Sequence, residues 1–178
     1  MSTTNTSDLV QRLADESNIR DLVARFANAC SPPDMAAFAK LWVPDSDTES
    51  ESARAVWTLS EPFAMSETGV SSIVAMMGRL LEQWDFFVQL VHSGVIEIDE
   101  THGATSTRAT GRWILREVAK GASNSEAYYN NFAVYEDQYV KVDGKWYFTR
   151  RDYKYMFLDS GPFGGDACPP IKGWYGGR

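Results

Sequence analysis

Four long strand candidates follow one another between Phe86 and Leu158, and they constrain the fold more than anything else in the chain. They read "FFVQLVHSGVIEID", "ATSTRATGRWILREVA", "EAYYNNFAVYEDQYVKV" and "KWYFTRRDYKYMFL". Each is rich in β-branched and aromatic residues, as strands of a half-buried sheet are. The segments "DETHG", "KGASNS" and "DG" separate them, and Asp143-Gly144 is a hairpin signal. A run of antiparallel strands is expected.

The first half of the chain reads mostly as helix. Ile19, Leu22, Val23, Phe26, Ala27 and Cys30 recur at helical spacing, extended upstream by Leu9 and Leu13. Pro32 and Pro33 stop this helix, and Asp34 is placed to cap a short second one, "DMAAFAKLW". "RAVWTLSEPF" reads as a short strand. "SETGVSSIVAMMGRLLEQW" reads as a third helix with Ile73, Met76, Met77, Leu80 and Leu81 on one side. Helices ahead of antiparallel strands predict an α+β domain, its helices packed on one side of a curved sheet. We expect that single domain to span residues 1–160. A Gly- and Pro-rich tail follows at 161–178, which Phe163, Trp174 and Tyr175 could pin to the body.

Composition narrows the function classes. The 178 residues suffice for one domain with a real core, and an aromatic fraction of 13% suggests a core, pocket or interface built on rings. A net charge of -7 without a Lys/Arg run argues against nucleic acid and anionic membranes as partners. No apolar run reaches the ~18 residues of a membrane span. The polar start, Met1 to Asp8, has no stretch of the signal-peptide kind, so a cytoplasmic location is expected. Cys30 and Cys168 lack a CxxC context, which predicts one buried thiol and one tail thiol rather than a disulfide framework or a zinc site. HExxH, GxGxxG after a strand, and GxSxG are absent, so neither a metal nor a cofactor is expected.

Period-two alternation sorts the candidate site residues. It places His92 with Phe86, Val88, Leu90, Ile96 and Ile98 on the inward face, and Gln89, Ser93, Glu97 and Asp99 on the other. Gly94 suits a bend or bulge there. On the next strand Ala109, Gly111, Trp113 and Leu115 face inward, and the small residues leave space beside His92. An inward histidine is either held by a core hydrogen bond or acts as a general acid or base, since its pKa lies near working pH. His102 sits in a turn and is read as surface. Tyr129, Asn131 and Tyr135 share a face and could hold a substrate oxygen. Phe132 and Val134 make the opposite face equally apolar. That strand is therefore either buried twice or covered by another subunit.

Taken together, "IRDLVARFANAC", "FAKLW", "VWTL", "VHSGVIEID", "YEDQYVKVDGKWYFTRRDY" and "LDSGPFGG" resemble the nuclear transport factor 2-like superfamily, in particular its SnoaL-like branch. The resemblance implies a cystatin-like cone, an α+β barrel in which a curved antiparallel sheet wraps a long N-terminal helix around a deep apolar pocket. In scytalone dehydratase-like and hexachlorocyclohexane dehydrochlorinase-like members an inward His is the base, and His92 matches it. An Asp orients that His, but Ser31 stands at the matching position, with Asp34 close by as substitute or helix cap. Arg151 matches an Arg that polarises the substrate, with Arg150 as competitor. Trp57 matches a pocket ring.

The expectation is a cofactor-independent lyase. It would eliminate water or a similar group, or cleave by retro-aldol chemistry, on a small aromatic or polycyclic hydroxy-compound. His92, Arg151 and Tyr135 would be catalytic. Trp57, Tyr129, Asn131, Trp113, Phe26, Ser31 and Asp34 would contact substrate. An isomerase or polyketide cyclase, and a non-catalytic ligand-binding module, are the alternatives. A homodimer or homotrimer is expected; a dioxygenase small subunit would also share this fold.

Overall fold

The computed structural model describes residues 6–45, 54–99, 107–121 and 126–162. The expectations for His102, Cys168 and the aromatic residues of the tail lie outside the described residues.

The opening helix α1, Thr6–Ala29, buries Asp15, Ile19, Leu22, Val23, Phe26 and Ala29. Leu9 and Leu13, expected to extend that stripe, are instead 50% and 57% exposed, and burial against the sheet begins only at Asp15, which meets Lys141 and Trp146. After the Pro pair comes α2, Met35–Ala39, whose N-cap is Asp34: the carboxylate accepts the Ala37 N–H at 2.9 Å. Strand β1, Val56–Leu59, then pairs antiparallel with β2, Met65–Thr68. The segment read as the start of the third helix is thus a strand. Helix α3 begins only at Val70 and runs to Glu82, and Gly69 turns the chain between them at φ 87.

The four long strands are β3, Trp84–Ile98, β4, Arg108–Gly121, β5, Tyr128–Val142, and β6, Lys145–Asp159. The β5–β6 turn puts Asp143 and Gly144 both at positive φ (49 and 79), the twist that a two-residue hairpin prefers. One curved, unclosed sheet results, in the order β2-β1-β6-β5-β4-β3. All neighbours are antiparallel except β1 and β6. Helix α1 packs on β3 and β6, so the expected α+β architecture stands, as an open sheet rather than a closed barrel.

The core is aromatic. Phe26 is fully buried and meets the rings of Phe38, Trp42, Trp57, Tyr135 and Phe148 at centroid distances of 5.1 to 6.2 Å. Edge-on packing of this kind adds to burial. The outer face of the sheet keeps Leu90, Ile114, Phe132 and Phe157 exposed. Among the described residues no helix is long and apolar enough to cross a membrane.

Candidate functional site

A bulge decides which side chains of β3 meet the interior. Val91 pairs with Leu115 and Ser93 with Ile114, so His92 has no cross-strand partner and the alternation shifts by one residue. Upstream of it, Phe87, Gln89 and Val91 turn inward; downstream, Gly94, Ile96 and Ile98 do. His92 itself is exposed, stacked on Phe132 with ring centroids 6.5 Å apart on the outer face. Its expected inward position is therefore corrected, and Gln89 takes the buried place.

The expected space beside His92 is also filled. A side chain at Gly94 would meet the Trp113 ring at 2.1 Å, and one at Gly111 would meet the Tyr139 hydroxyl at 2.8 Å. The two glycines let Trp113 and Tyr139 approach the backbone. Trp113 is buried, donates to the Tyr139 hydroxyl at 2.7 Å and receives the Arg20 guanidinium over its ring, 5.6 Å from the centroid. It holds the sheet together and does not line the pocket.

The pocket lies at the other end of the sheet, between α3, β1 and the inward faces of β3 to β6. Its volume is about 440 Å³, in the range of small-molecule sites. Met77 and Leu81 of α3 and Leu59 of β1 form one wall. Trp84 and Phe87 face them, with Tyr129, Tyr153 and Tyr155 around the floor. Of the expected site residues, Trp57, Tyr129 and Tyr135 line this pocket.

The floor carries Glu117, the next inward residue of β4 after Trp113 and Leu115. It is buried at 6% exposure. The Gln89 amide donates to Oε1 at 2.5 Å, and Tyr153 and Tyr129 donate to Oε2 at 2.6 and 3.2 Å. Asn131 donates to the Tyr153 hydroxyl, so it supports the site from behind. No cation meets this carboxyl among the described residues. Burial raises the Glu117 pKa, and the bonds from Tyr153, Gln89, Tyr129 and Asn131 only partly offset it. Burial also raises the Tyr129 and Tyr153 hydroxyls, reinforced by Glu117, so both stay protonated as donors.

The Gln89 Oε1 atom is buried without a partner among the described residues. A half-turn of its amide offers that oxygen to a proton on Glu117. The same shell can thus satisfy the carboxyl in either charge state. From Glu117 the Tyr129 hydroxyl leads on to Tyr155 at 3.4 Å, and Tyr155 is only half-buried, at the pocket wall beside Phe63. A proton therefore has a hydrogen-bonded route between the floor and the mouth.

Arg151 does face inward and Arg150 outward, where Arg150 pairs with Asp152 at 2.7 Å. Yet Arg151 is not on the pocket wall. Its Nε and Nη2 donate to Asp137 at 2.9 and 3.1 Å, and its guanidinium stacks on Tyr135, Phe26 and Phe148 within 4.3 Å. Burial opposes its charge, but the adjacent Asp137 holds its pKa above the ordinary value. Phe26 is core, behind Trp57. Ser31 donates to the Phe87 carbonyl and Asp34 is engaged as the α2 cap, so neither forms a dyad with His92.

Sequence reasoning missed Glu117, Gln89 and Asp137. Parity on β4 would have found Glu117, since it follows Ala109, Gly111, Trp113 and Leu115 in step. Gln89 was hidden by the bulge. Among the described residues no group of three His, Cys, Asp or Glu side chains is placed to hold a metal.

The fold has close relatives in shape. A hexachlorocyclohexane dehydrochlorinase, LinA type 2, superposes with a TM-score of 0.72 at 18% identity, over 91% of this chain and 99% of its own. LinA type 3 from Novosphingobium barchaimii gives 0.70 at 18% identity, over 90% and 99%. A scytalone dehydratase-like protein from Novosphingobium aromaticivorans gives 0.69 at 16%, over 92% and 97%. At these identities the likeness is one of fold. No curated protein matches the sequence at a significant level. The SnoaL-like domain, described as a sequence family, matches residues 11–152. With that match over most of its length, and a fold shared with LinA and scytalone dehydratase-like proteins, the chain belongs to the SnoaL-like family of the nuclear transport factor 2-like superfamily.

Proposed function

We propose that this protein is a cofactor-independent lyase or isomerase. Its substrate is a small ring-bearing β-hydroxy-carbonyl compound, and Glu117 is the acid and base. One observation carries the reading. A buried carboxyl with a raised pKa, unpaired with any cation among the described residues, sits at the floor of a ring-lined pocket. Acids so placed are poised to exchange protons near neutral pH. The relatives named for dehydrochlorination and scytalone dehydration support the same class of chemistry, at the level of fold.

In the eliminating mode, Glu117 takes the proton from the carbon next to the carbonyl. The C–H electron pair moves onto the carbonyl oxygen as an enolate, then returns to form the new C=C bond as the C–O bond to a hydroxyl on the next carbon breaks. Glu117 then returns the proton to the leaving oxygen, which departs as water. Tyr155 donates to the carbonyl oxygen while it carries negative charge. In the isomerising mode the same proton returns to a different carbon and nothing leaves.

The test is a screen of aromatic and bicyclic hydroxy-ketones with product mass as readout. Loss of water marks a lyase, and changed retention at constant mass marks an isomerase. Glu117→Gln should lower kcat by about 100- to 10,000-fold, the range of general acid–base catalysis. Full activity in that variant removes Glu117 from the chemistry. Ligands that bind and emerge unchanged throughout the screen make the protein a binding module.

A further inference from the structure

We infer that the Glu117 pocket selects uncharged ring compounds and rejects the same rings when they carry a carboxylate. The inference rests on this pocket being the ligand site proposed above, but not on the chemistry proposed for it.

The wall supplies apolar area and neutral hydrogen-bonding groups, and no positive charge. Nine of its lining residues are aromatic, and among the described residues none is Lys, Arg or His. Two cations of β6 are already committed. Arg151 is held by Asp137 behind Tyr135, and Arg150 pairs with Asp152 on the outer face. The one ionisable group on the wall that can carry charge near neutral pH is Glu117, and its charge is negative.

The donors point the same way. An anion moved from water into such a wall loses its hydration and needs an opposite charge or several free donors in exchange. Tyr153 and Tyr129 already donate to Glu117, as does the Gln89 amide. Tyr155, half-buried beside Phe63, and the Trp57 indole N–H, which has no partner among the described residues, are left to meet ligand oxygens. Neutral donors with no cation beside them suit hydroxyl or carbonyl oxygens and leave the charge of a carboxylate uncompensated. The surrounding rings offer flat faces to an aromatic skeleton of two or three fused rings.

Naphthol and naphthoate share a skeleton and differ in charge, so calorimetric titration of the full chain with each, near neutral pH, tests the inference. Naphthol should bind saturably and naphthoate at least about 100-fold more weakly, the scale of an uncompensated buried charge. Phe63 is 51% exposed at the pocket wall, so Phe63→Arg should fold and place a guanidinium there. It should raise naphthoate affinity by about 10-fold or more and narrow the gap between naphthol and naphthoate by at least as much. Equal binding of the two probes, no binding of naphthol, or a Phe63→Arg variant that leaves naphthoate excluded overturns the inference. The chemistry is judged separately by turnover. Loss of turnover in Glu117→Gln with equal binding of both probes sinks selectivity and keeps the acid–base reading. Selective binding with turnover unchanged in that variant does the reverse.

Discussion

Glu117 on β4 and Asp137 on β5 are both inward-facing acids, 6% and 2% exposed, on neighbouring strands of one sheet. Their surroundings differ in two respects. Asp137 is met by a guanidinium through two bonds and by the Tyr139 hydroxyl at 2.7 Å. Glu117 is met only by neutral donors and borders a cavity. Burial alone therefore does not mark a reactive acid in this protein. Under the proposed function, the lack of a compensating cation together with access to a pocket singles out Glu117.

The sharpest way to break the comparison is to remove the cation from the paired acid. Arg151→Met leaves Asp137 buried without its partner, and truncating one member of a buried pair costs about 3–5 kcal/mol. The rings of Tyr135, Phe26 and Phe148 also lose the guanidinium they stack on. Urea denaturation should show a loss of that size, and Asp137→Leu added to Arg151→Met should recover part of it. A loss below about 1 kcal/mol would mean that the pair is not sealed from water.

A second test works on the unpaired acid and has the opposite sign. A carboxyl whose folded-state pKa lies above its unfolded value, about 4.3, binds its proton more tightly in the folded state. Its contribution is fully present below that unfolded value and declines as pH rises toward the folded one. Glu117 is such a group. Glu117→Gln removes the titration, and the Gln89 amide can turn to bond the new amide. The variant should match the wild type near pH 4 and be more stable at pH 8 by about 1 kcal/mol or more. Chemical denaturation at both pH values reads the difference. A variant less stable at pH 8 would show that Glu117 is ionised at no penalty and that its shell is built for the charge.

How much of this was legible in the sequence follows from where the strand period is unbroken. On β4, alternation runs without interruption from Ala109 to Glu117, so the inward face could be read off and Glu117 with it. The Asp143-Gly144 hairpin and the Asp34 cap are local chemistry and were equally readable. On β3 one inserted residue reverses every assignment upstream of it, which moved Gln89 inward and His92 outward. The sequence does carry a glycine near the bulge, but nothing in composition states which residue is left unpaired. The role of Gly111 was misread for a related reason. Missing side-chain volume is space only if no neighbour fills it, and Trp113 and Tyr139 fill it here. The partnership of Arg151 with Asp137 is a pairing across strands, so it needed the β5–β6 register before it could be seen.

The smallest effect is expected where the sequence placed the most weight. His92 stacks on Phe132 on the outer face, exposed, and Ser31 and Asp34 are bonded to other groups. His92→Ala should change stability by no more than about 0.5 kcal/mol, as exposed substitutions generally do. Turnover on any substrate found in the hydroxy-ketone screen should stay within about twofold, because His92 lies exposed on the outer face and does not line the pocket. Paired with Glu117→Gln in the same assay, this variant separates the two faces of the sheet. A loss of activity in His92→Ala comparable to that in Glu117→Gln would require the β3 alternation to slip back by one residue on substrate binding. The ring would then point inward and the bulge would lie elsewhere along the strand.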